Sequence, residues 1–586
     1  MTSRLVVRPA KPPLRVTVTR RSAGEEGPFV GVGVGVGVGV GVGVGVGVGG
    51  GVFCALGPVL VLLCEGLGTA PSGPPAPHPA RATAPSSSTA VAALLACTPT
   101  PAGIRADPRV WSRPRPYGKH PEDDIRTAVP RCLPPLLALL LGLWGLARGG
   151  DGSAGSMWRD EAVTWEVAHR PLGGLWDLLG HVDAVHGLYY LLMHGVFGVF
   201  RAAGSDPTGA AAGLWALRLP SVAATALAAA GVASVGRRLA GERAGLLGGL
   251  VYAVLPPVQM YAQEGRSYAL VAAAVVWATY LMLYERWIAY GAVLVAGCWL
   301  HEFAALALLA HAVTARRSPG WRRAAAAVLV LVLPLAVVSA RQAEQQLGWL
   351  GRPKWQDWAA YAVLAAGVWL LTRGGALPRE LVRVAVPLAL LPPGVLMAVS
   401  LVHPWYVDRY VLYALAGLAL AAGARLAAVP TWRPWVGVGL LLLPLGWWSA
   451  WLRTPDSRKD DALAVAAAVR ERARPRDAVL FMPARRRAWL LSSPAVYGGL
   501  RDLALDRSPA ASASLWGTEL PAAEIRARVA AAPRVVALLD PAGQPLDPYP
   551  GEAAKREVLD ADFTLCGVES VRGARIAVYA RRGACR

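Results

Sequence analysis

Residues 157–190 read MWRDEAVTWEVAHRPLGGLWDLLGHVDAVHGLYY, and ionisable side chains crowd into this stretch between two apolar runs. The run CLPPLLALLLGLWGLA (132–147) precedes it, and LYYLLMHGVFGVF (188–200) follows it. Its acidic and histidine side chains include Asp160, Glu161, His169, Asp177, His181, Asp183 and His186. Charge beside hydrocarbon is costly and marks functional sites in membrane proteins. The stretch therefore predicts a site at the edge of a membrane bundle, with Asp160 as the reactive carboxylate.

The composition of the 586 residues indicates a membrane protein. Charged residues make up 17% of the chain, against about 25% in soluble domains, and the mean hydropathy is +0.40. The net charge of +21 is spread in short basic clusters between apolar runs. Such clusters fit loops placed by the positive-inside rule better than a face that binds nucleic acid. Because Arg greatly outnumbers Lys and Ala, Gly, Pro and Val dominate, we expect a bacterial plasma-membrane protein with no nucleic-acid partner.

Residues 1–125 show no pattern of a folded domain. A Val-Gly alternation runs from Val30 to Gly49, and residues 71–88 are rich in Pro, Ala and Ser. Glycine at every second position costs backbone entropy and offers little surface to bury. We expect this low-complexity region to be disordered, or to reflect a start codon assigned too far upstream.

Residues 130–452 predict an all-α polytopic domain of about 11–13 transmembrane helices, because about 20 residues span a bilayer. The apolar runs lie near 132–148, 187–203, 214–236, 244–258, 267–287, 288–300, 302–314, 322–340, 358–372, 384–402, 410–424 and 434–452. Several are short, which indicates broken or re-entrant helices.

Four basic clusters fix the expected orientation. They begin at Arg237, Arg316, Arg373 and Arg425, and the positive-inside rule places them, with the N-terminus, in the cytoplasm. The loops on the opposite side then include 149–186, 260–266 (MYAQEGR), 301–302, 341–357 and 403–409 (HPWYVDR). One inconsistency remains in this topology. An odd number of crossings must separate Asp160 from Arg237, yet two apolar runs lie between them.

The composition changes again after residue 452, and residues 455–586 predict a small soluble α/β domain outside the cytoplasm. Helical patterns cover 460–472 and 522–531, strand patterns cover 477–482 and 535–539, and 563–571 with 574–580 predict a hairpin that turns at Arg572-Gly573. In an oxidising compartment Cys566 and Cys585 could form a disulfide, or they could stay free thiols. The basic segment 484–487 (ARRR) is interpreted as a solvated face.

Asp160 and Glu161 allow two interpretations. Adjacent residues on a helix point about 100° apart, so the two carboxylates need not bind one ligand together. Asp160, at the mouth of the bundle, could act as a general base that takes a proton from a hydroxyl group. Alternatively, the acidic pair simply begins an interfacial helix, since acidic residues stabilise helix N-termini.

Several motifs, in their order and spacing, resemble one family. WRDEAVTWEVAHRP (158–171), Asp183 upstream of GLYYLLMHGVF (187–197), LRLPS (217–221), GRRLAGERAGLLGGL (236–250) and YAQEGRSYAL (261–270) are similar to bacterial glycosyltransferase family 39-like membrane proteins. These have the GT-C fold and are related to protein O-mannosyltransferases and the lipid A aminoarabinose transferase. The similarity covers roughly residues 130–425.

The resemblance implies an inverting transfer of a mannose-like hexose or pentose. The donor would be a polyprenyl-phosphate sugar, the acceptor an extracytoplasmic lipid, glycan or protein hydroxyl, and membrane lipids would surround the enzyme. Asp160 would be the catalytic base, with Glu161 beside it. The resemblance places donor or lipid-phosphate contacts at Arg266, Arg409, Tyr410, Glu264, Asp183, His186, His301 and Tyr189. Arginine suits the phosphate because its planar fork binds oxygen pairs. Arg266 and Arg409 could instead snorkel at helix ends.

The sequence departs from the family pattern after Asp183, where AVHG (184–187) stands in place of one or two prolines. Asp183 and His186 could orient the sugar, ligate a divalent cation together with Asp160, or simply bond locally at the interface. No cofactor is required by the pattern, and a divalent cation is the only one it leaves open.

Two other functions are alternatives to the transferase. A transporter or flippase of lipid-linked sugars would show internal repeats and charges near the bilayer midplane, whereas no repeat is visible and the acids lie in a loop. A non-catalytic envelope scaffold would leave the order of the motifs unexplained.

Overall fold

The computed structural model describes residues 123–147, 157–204, 210–429 and 460–585, apart from 349, 376, 476 and 545, with short pieces between 446 and 457. The expected low-complexity region up to residue 122 and most of the expected span 434–452 lie outside these residues.

The helices of the first part are α1 Asp123–Ala147, α2 Arg159–Ala168, α3 Leu172–His181, α4 Gly187–Ala202, α5 Ala210–Ala240, α6 Glu242–Val254, α7 Pro256–Ala262, α8 Tyr268–Leu283, α9 Trp287–Leu300, α10 Ala307–Ala315, α11 Pro319–Leu347, α12 Trp355–Thr372, α13 Arg379–Val399 and α14 Leu415–Ala427. Short 3₁₀ turns cover Ala184–His186, Glu302–Leu306 and Asp408–Ala414.

The first part is the expected all-α membrane bundle. Among the described residues, four helices are long and apolar enough to span a membrane: Gly213–Ala240, Pro319–Leu347, Arg379–Val399 and Asp408–Ala427. The pair α6 and α7 would make a fifth span, bent by 63° at its break. Shorter apolar helices follow the expected runs at Arg131–Ala147, Tyr268–Leu283, Trp287–Leu300 and Glu302–Ala315.

The glycine-rich segment of α6 brings helices into close contact. A Cβ on Gly423 of α14 would collide with the backbone of Gly248 in α6, and one on Gly249 would lie 2.7 Å from the side chain of Pro134. Helices in lipid associate mainly through such close packing of small residues. The motif GLLGGL (245–250) is therefore a packing surface at the centre of the bundle.

The bundle has two chemically different ends. At the basic end, which we define by Arg131, Arg237 and Glu242, Arg131 donates to Glu242 at 2.7 Å and Arg237 lies 3.8 Å from the same carboxylate. At the site end, which we define by residues 261–266, 301–303 and 403–410, the chain turns between α7 and α8, α9 and α10, and α13 and α14. Because successive helices run between the two ends, the basic loops lie at one end of the bundle and the polar aromatic loops lie at the other.

Helix α4 resolves the inconsistency in the expected topology. It starts at the site end beside His186, and the next helix, α5, has Arg218 near its start also at the site end, where it bonds Glu161. The middle of α4 packs on the end of α2, where His194 bonds the carbonyl oxygen of Ala168 at 3.0 Å and the Phe197 and His169 rings stack at 4.3 Å. The expected span 187–203 is therefore wrong as a crossing. Helix α5 alone carries the chain from the site end to the basic end, which gives the odd number required.

Residues 460–585 form the expected small α/β domain. Its elements are α15 Ala462–Arg472, β1 Ala478–Met482, α16 Arg487–Leu491, α17 Pro494–Tyr497, β2 Arg501–Asp502, β3 Leu505–Arg507, β4 Thr518–Glu519, α18 Ala522–Ala531, β5 Arg534–Leu539, α19 Pro550–Asp562, β6 Phe563–Val571 and β7 Ala574–Arg581. The main sheet has the order β2-β1-β5-β7-β6, parallel from β2 to β5 and antiparallel from β5 to β6. Helices α18 and α19 supply Ile525, Val529, Val558 and Leu559 to a core with the sheet.

The predicted hairpin is present and is closed by a disulfide. Strands β6 and β7 turn at Arg572-Gly573, where Gly573 has a φ of +81°, a left-handed conformation that favours glycine. Cys566 in β6 is bonded to Cys585, with Cα atoms 5.2 Å apart. The bond pins the residues after β7 to an edge strand of the sheet.

Two arginines of the basic segment 484–487 are not on the solvated face that the sequence suggested, whereas Arg485 is exposed. Arg487 is fully buried and bonds Asp502 at 2.5 Å and Glu519 at 2.8 Å. Arg486 is also buried, bonds Asp540, and lies over the Trp489 ring at 4.2 Å. Composition could not show this because the acidic partners of these arginines lie up to 62 residues away in the sequence.

Candidate active site

Asp160 lies in the first turn of α2, and its carboxylate is partly accessible. Its side chain is 24% exposed, with one oxygen 3.5 Å from the Arg159 guanidinium and the other 3.9 Å from that of Arg409. Both separations exceed the 2.7–2.9 Å typical of charge-assisted hydrogen bonds. The carboxylate thus has cations beside it, and neither contact saturates its oxygens.

Glu161, one residue later, faces the protein interior. Its side chain is fully buried and accepts two hydrogen bonds from Arg218 of α5, both at 2.7 Å. The backbone N–H of Gly265 donates to the same carboxylate at 2.7 Å. The two carboxylates therefore point to different partners, as expected for adjacent residues on a helix. Asp160 faces Arg409, whereas Glu161 joins α2 to α5 and to the turn before α8.

Removing the Glu161 carboxylate is expected to destabilise the protein. Glu161→Gln removes the carboxylate charge that accepts both hydrogen bonds from the buried Arg218, and breaking such a buried pair costs about 3–5 kcal/mol. The free energy of unfolding in detergent measures the effect. Glu242→Gln is the matched control, because Glu242 is 65% exposed at the basic end and an exposed pair contributes about 0–1 kcal/mol. Equal losses in the two variants would contradict the role assigned to Glu161.

Arg266 contacts Thr164, which lies one helical turn after Asp160 in α2. It is 5% exposed, and its Nη1 donates at 3.1 Å to the Thr164 hydroxyl, which itself donates at 2.9 Å to the Asp160 carbonyl oxygen. The Ser221 hydroxyl of α5 bonds the Arg266 carbonyl oxygen at 3.0 Å. Within the described residues, the buried Nε of Arg266 has no hydrogen-bond partner. The side chain is held in place but keeps a donor to offer.

Asp183 and His186 form a chain of hydrogen bonds that ends on Arg266. His186 Nε2 lies 2.6 Å from Arg266 Nη2, which leaves Nδ1–H to donate to Asp183 at 2.8 Å. The Tyr190 hydroxyl donates to the second oxygen of Asp183. Burial would raise the pKa of the Asp183 carboxyl, but His186, Arg266 and Tyr190 hold that pKa well below its usual value. Burial and the Arg266 charge lower the pKa of His186.

The metal site suggested for Asp160, Asp183 and His186 is not assembled. Both ring nitrogens of His186 are already bonded, one of them to a cation. Among the described residues, no group of three His, Cys, Asp or Glu side chains could hold a metal ion. The structure instead uses Asp183 and His186 to orient Arg266.

Arg409 sits in a box of aromatic rings. Its Nε donates to the Tyr268 hydroxyl at 3.0 Å, and its guanidinium lies 5.5–5.6 Å from the ring centroids of Trp158, Tyr268 and Tyr410. Aromatic faces attract such a cation and keep it desolvated. The cation is therefore placed beside Asp160 by packing as well as by charge.

The remaining predicted residues line the same region. The His301 ring lies 4.4 Å from Tyr410 and 5.9 Å from His186, and its buried Nδ1 has no hydrogen-bond partner among the described residues. Tyr189 is fully buried in α4, and Glu264 is 3% exposed immediately before Gly265. All ten residues predicted for the site thus lie at one end of the bundle.

Sequence reasoning missed several residues that build this site. Arg218 lies in the quoted motif LRLPS, and a charged residue inside an apolar run was a usable signal for a buried partner. Thr164, Tyr190 and Tyr268 carry no such signal. Their roles depend on which helices pack together.

The C-terminal domain docks on the start of α2. Arg159 N–H donates to Asp460 at 2.8 Å, Met157 N–H donates to Asp461 at 3.3 Å, and Ala462 N–H donates to the Met157 carbonyl at 2.6 Å. At the other end of α2, Arg170 donates to the carbonyl of Ser514 at 2.8 Å. Burial raises the pKa of Asp460 to about 6. The domain therefore contacts both ends of the helix that carries Asp160.

Comparison with solved structures identifies the architecture. ArnT from Cupriavidus metallidurans bound to undecaprenyl phosphate matches with 12% identity, 76% of this chain and 97% of that chain covered, and a TM-score of 0.51. The same enzyme in the apo state matches with the same identity and coverage and a TM-score of 0.52. The Archaeoglobus fulgidus oligosaccharyltransferase AglB has 12% identity over 70% of this chain and 69% of its own, with a TM-score of 0.37.

No protein-family model and no curated protein sequence matches the chain significantly. The likeness to ArnT at 12% identity is one of fold. It confirms the expected GT-C-like multi-pass membrane fold with a small α/β domain at the C-terminal end.

Proposed function

We propose that the protein is an inverting glycosyltransferase that moves a sugar from a polyprenyl-phosphate carrier to an acceptor hydroxyl group outside the cytoplasm. The observation that carries the proposal is the position of Asp160, 3.9 Å from Arg409 and one helical turn before Thr164, which accepts a hydrogen bond from the buried Arg266. A carboxylate and two cations at one end of a membrane bundle match a reaction that needs a base and an anionic leaving group. The ArnT structure bound to undecaprenyl phosphate supports a donor of that class.

Asp160 would act as the general base. Its carboxylate would accept the proton of the acceptor hydroxyl as the acceptor oxygen attacks the anomeric carbon of the donor. The bond from that carbon to the phosphate oxygen breaks, and the sugar is transferred with inversion. One partly exposed carboxylate is sufficient for this step, and a positioned base typically contributes about 10²–10⁴-fold in rate.

Arg266 and Arg409 would bind the phosphate. The leaving phosphate gains negative charge as the sugar departs, and fixed cations in a site with little water stabilise that charge strongly. Arg266 keeps a buried, unpartnered Nε, and the aromatic box holds Arg409 next to Asp160. His301, Tyr410, Tyr189 and Glu264 would shape the donor pocket around these cations.

Glu161, Asp183 and His186 would act as positioning residues. Glu161 fixes α2 on α5, and the chain from Asp183 through His186 fixes Arg266. In the proposed orientation the basic end faces the cytoplasm, following the positive-inside rule, and the site and C-terminal domain face outward.

A transfer assay tests this proposal. Purified full-length protein is incubated with a radiolabelled polyprenyl-phosphate sugar and a bacterial membrane extract as acceptor, with and without a metal chelator. We expect release of polyprenyl phosphate and labelling of the acceptor fraction, which would be absent after heat inactivation. In reconstituted vesicles, movement of labelled donor across the bilayer without any cleavage would instead support a flippase and overturn the proposal.

A further inference from the structure

The helix that carries Asp160 receives no cap from the side chain of its N-cap residue, and within its own first turn the Glu161 carboxylate accepts from the Trp158 N–H at 3.4 Å. Its N-cap residue is Trp158, and an indole ring cannot accept a hydrogen bond from the first backbone N–H groups. Those N–H groups need partners from outside the helix. Asp460 of the C-terminal domain supplies one, since its carboxylate accepts from the Arg159 N–H at 2.8 Å.

Asp461 adds hydrogen bonds to the same contact between the start of α2 and the C-terminal domain. Its carboxylate accepts at 3.1 Å from the Leu463 and Ala464 N–H groups at the start of α15, and at 3.3 Å from Met157. One acidic dipeptide therefore fixes the beginnings of two helices, one in each part of the protein. The main chain of residues 157–159 has little freedom to move against residues 460–462.

The hairpin turn supports Asp460 from the opposite side. Asp461 N–H donates to the Arg572 carbonyl at 3.2 Å, and a Cβ on Gly573 would collide with Asp460. Arg486, bonded to Asp540, donates at 2.6 Å to the Gly573 carbonyl. The carboxylate of Asp460 is thus backed by the folded domain and is not a mobile side chain.

Asp160 consequently lies between two anchors. Arg159 before it is bonded to the C-terminal domain, and Glu161 after it is bonded to Arg218 in the membrane bundle. We propose that Asp460 is a positioning residue for sugar transfer, which caps α2 from the C-terminal domain and thereby sets the place of the Asp160 carboxylate relative to Arg409. This inference rests on the proposed function.

Two substitutions at position 460 separate capping from other roles. Asp460→Ala removes the acceptor, whereas Asp460→Asn keeps a side-chain oxygen in the same place. We expect Asp460→Ala to lower kcat at least about tenfold, because a misplacement near 1 Å can cost about 10²-fold. The donor KM should stay unchanged, since Arg266 and Arg409 are not held by Asp460. Asp460→Asn should restore most of kcat, and Asp506→Ala, an exposed site in the same domain, should match the wild type.

Hydrogen exchange supplies a readout that does not depend on activity. In the full-length protein, amides of residues 158–162 should exchange faster in Asp460→Ala than in the wild type and near the wild-type rate in Asp460→Asn. The inference is overturned if Asp460→Ala retains wild-type kcat, if both variants lose kcat equally, or if exchange at α2 is unchanged. If the wild type shows no sugar transfer but the variants show the expected exchange pattern, the proposed function is wrong, whereas the capping of α2 by Asp460 is still supported.

Discussion

Asp160→Asn is expected to reduce kcat for sugar transfer by about 10²–10⁴-fold, the typical contribution of a positioned base. Asparagine has almost the same shape, but its amide cannot accept the proton of the attacking hydroxyl. The donor KM should change much less, because the phosphate is assigned to Arg266 and Arg409. Kinetics of transfer with the purified variant measure both constants.

The control for Asp160→Asn is Asp357→Asn. Asp357 also lies near the start of a helix at the site end, where it accepts from the Lys354 N–H at 2.7 Å, but it belongs to α12 and not to the site. We expect this variant to keep wild-type kcat. If Asp160→Asn is as active as Asp357→Asn while both remain folded, Asp160 is not the base.

Arg266→Ala should produce the second large effect. It removes a buried cation from the proposed phosphate site, and loss of one such group typically lowers kcat by about 10²–10³-fold. Donor affinity should fall as well, because ground-state binding of the phosphate uses the same charge. Equilibrium binding of polyprenyl phosphate and steady-state kinetics separate these two losses.

Arg266→Lys and Arg341→Ala complete this experiment. Lysine keeps the charge but not the planar fork, so we expect it to recover part of the affinity and little of the rate. Arg341 is exposed near the site end of α11, and its loss should change neither constant. Wild-type donor binding by a folded Arg266→Ala variant would remove Arg266 from the phosphate site.

Much of the fold could be predicted because its signals are local. The apolar runs predicted the helices, and the Arg-Gly dipeptide at 572–573 predicted the position of the hairpin turn to within one residue. The assignment of the loops to the two ends of the bundle could also be predicted, since the chain alternates between these ends. The predicted outer loops 260–266 and 403–409 meet in the structure, where the Tyr261 hydroxyl donates to Asp408 at 3.3 Å.

The failures share a physical cause, which is long-range pairing. Glu161 and Arg218 are 57 residues apart, and Arg159 and Asp460 are 301 residues apart. No local pattern distinguishes a carboxylate that meets substrate from one that meets a buried arginine. The same limit led to the wrong interpretation of Arg486 and Arg487 as solvated and to the count of α4 as a crossing.

The order of the two acids at 160 and 161 has a consequence for anyone altering this region. Successive helical residues diverge by about 100°, so exchanging the pair to Glu-Asp is not a conservative change. In the exchanged sequence, the longer glutamate side chain at position 160 would extend toward Arg409. The aspartate side chain at position 161, shorter by one methylene, would not reach Arg218. Reaction chemistry and scaffold integrity would be lost together, although composition, charge and hydropathy would all be preserved.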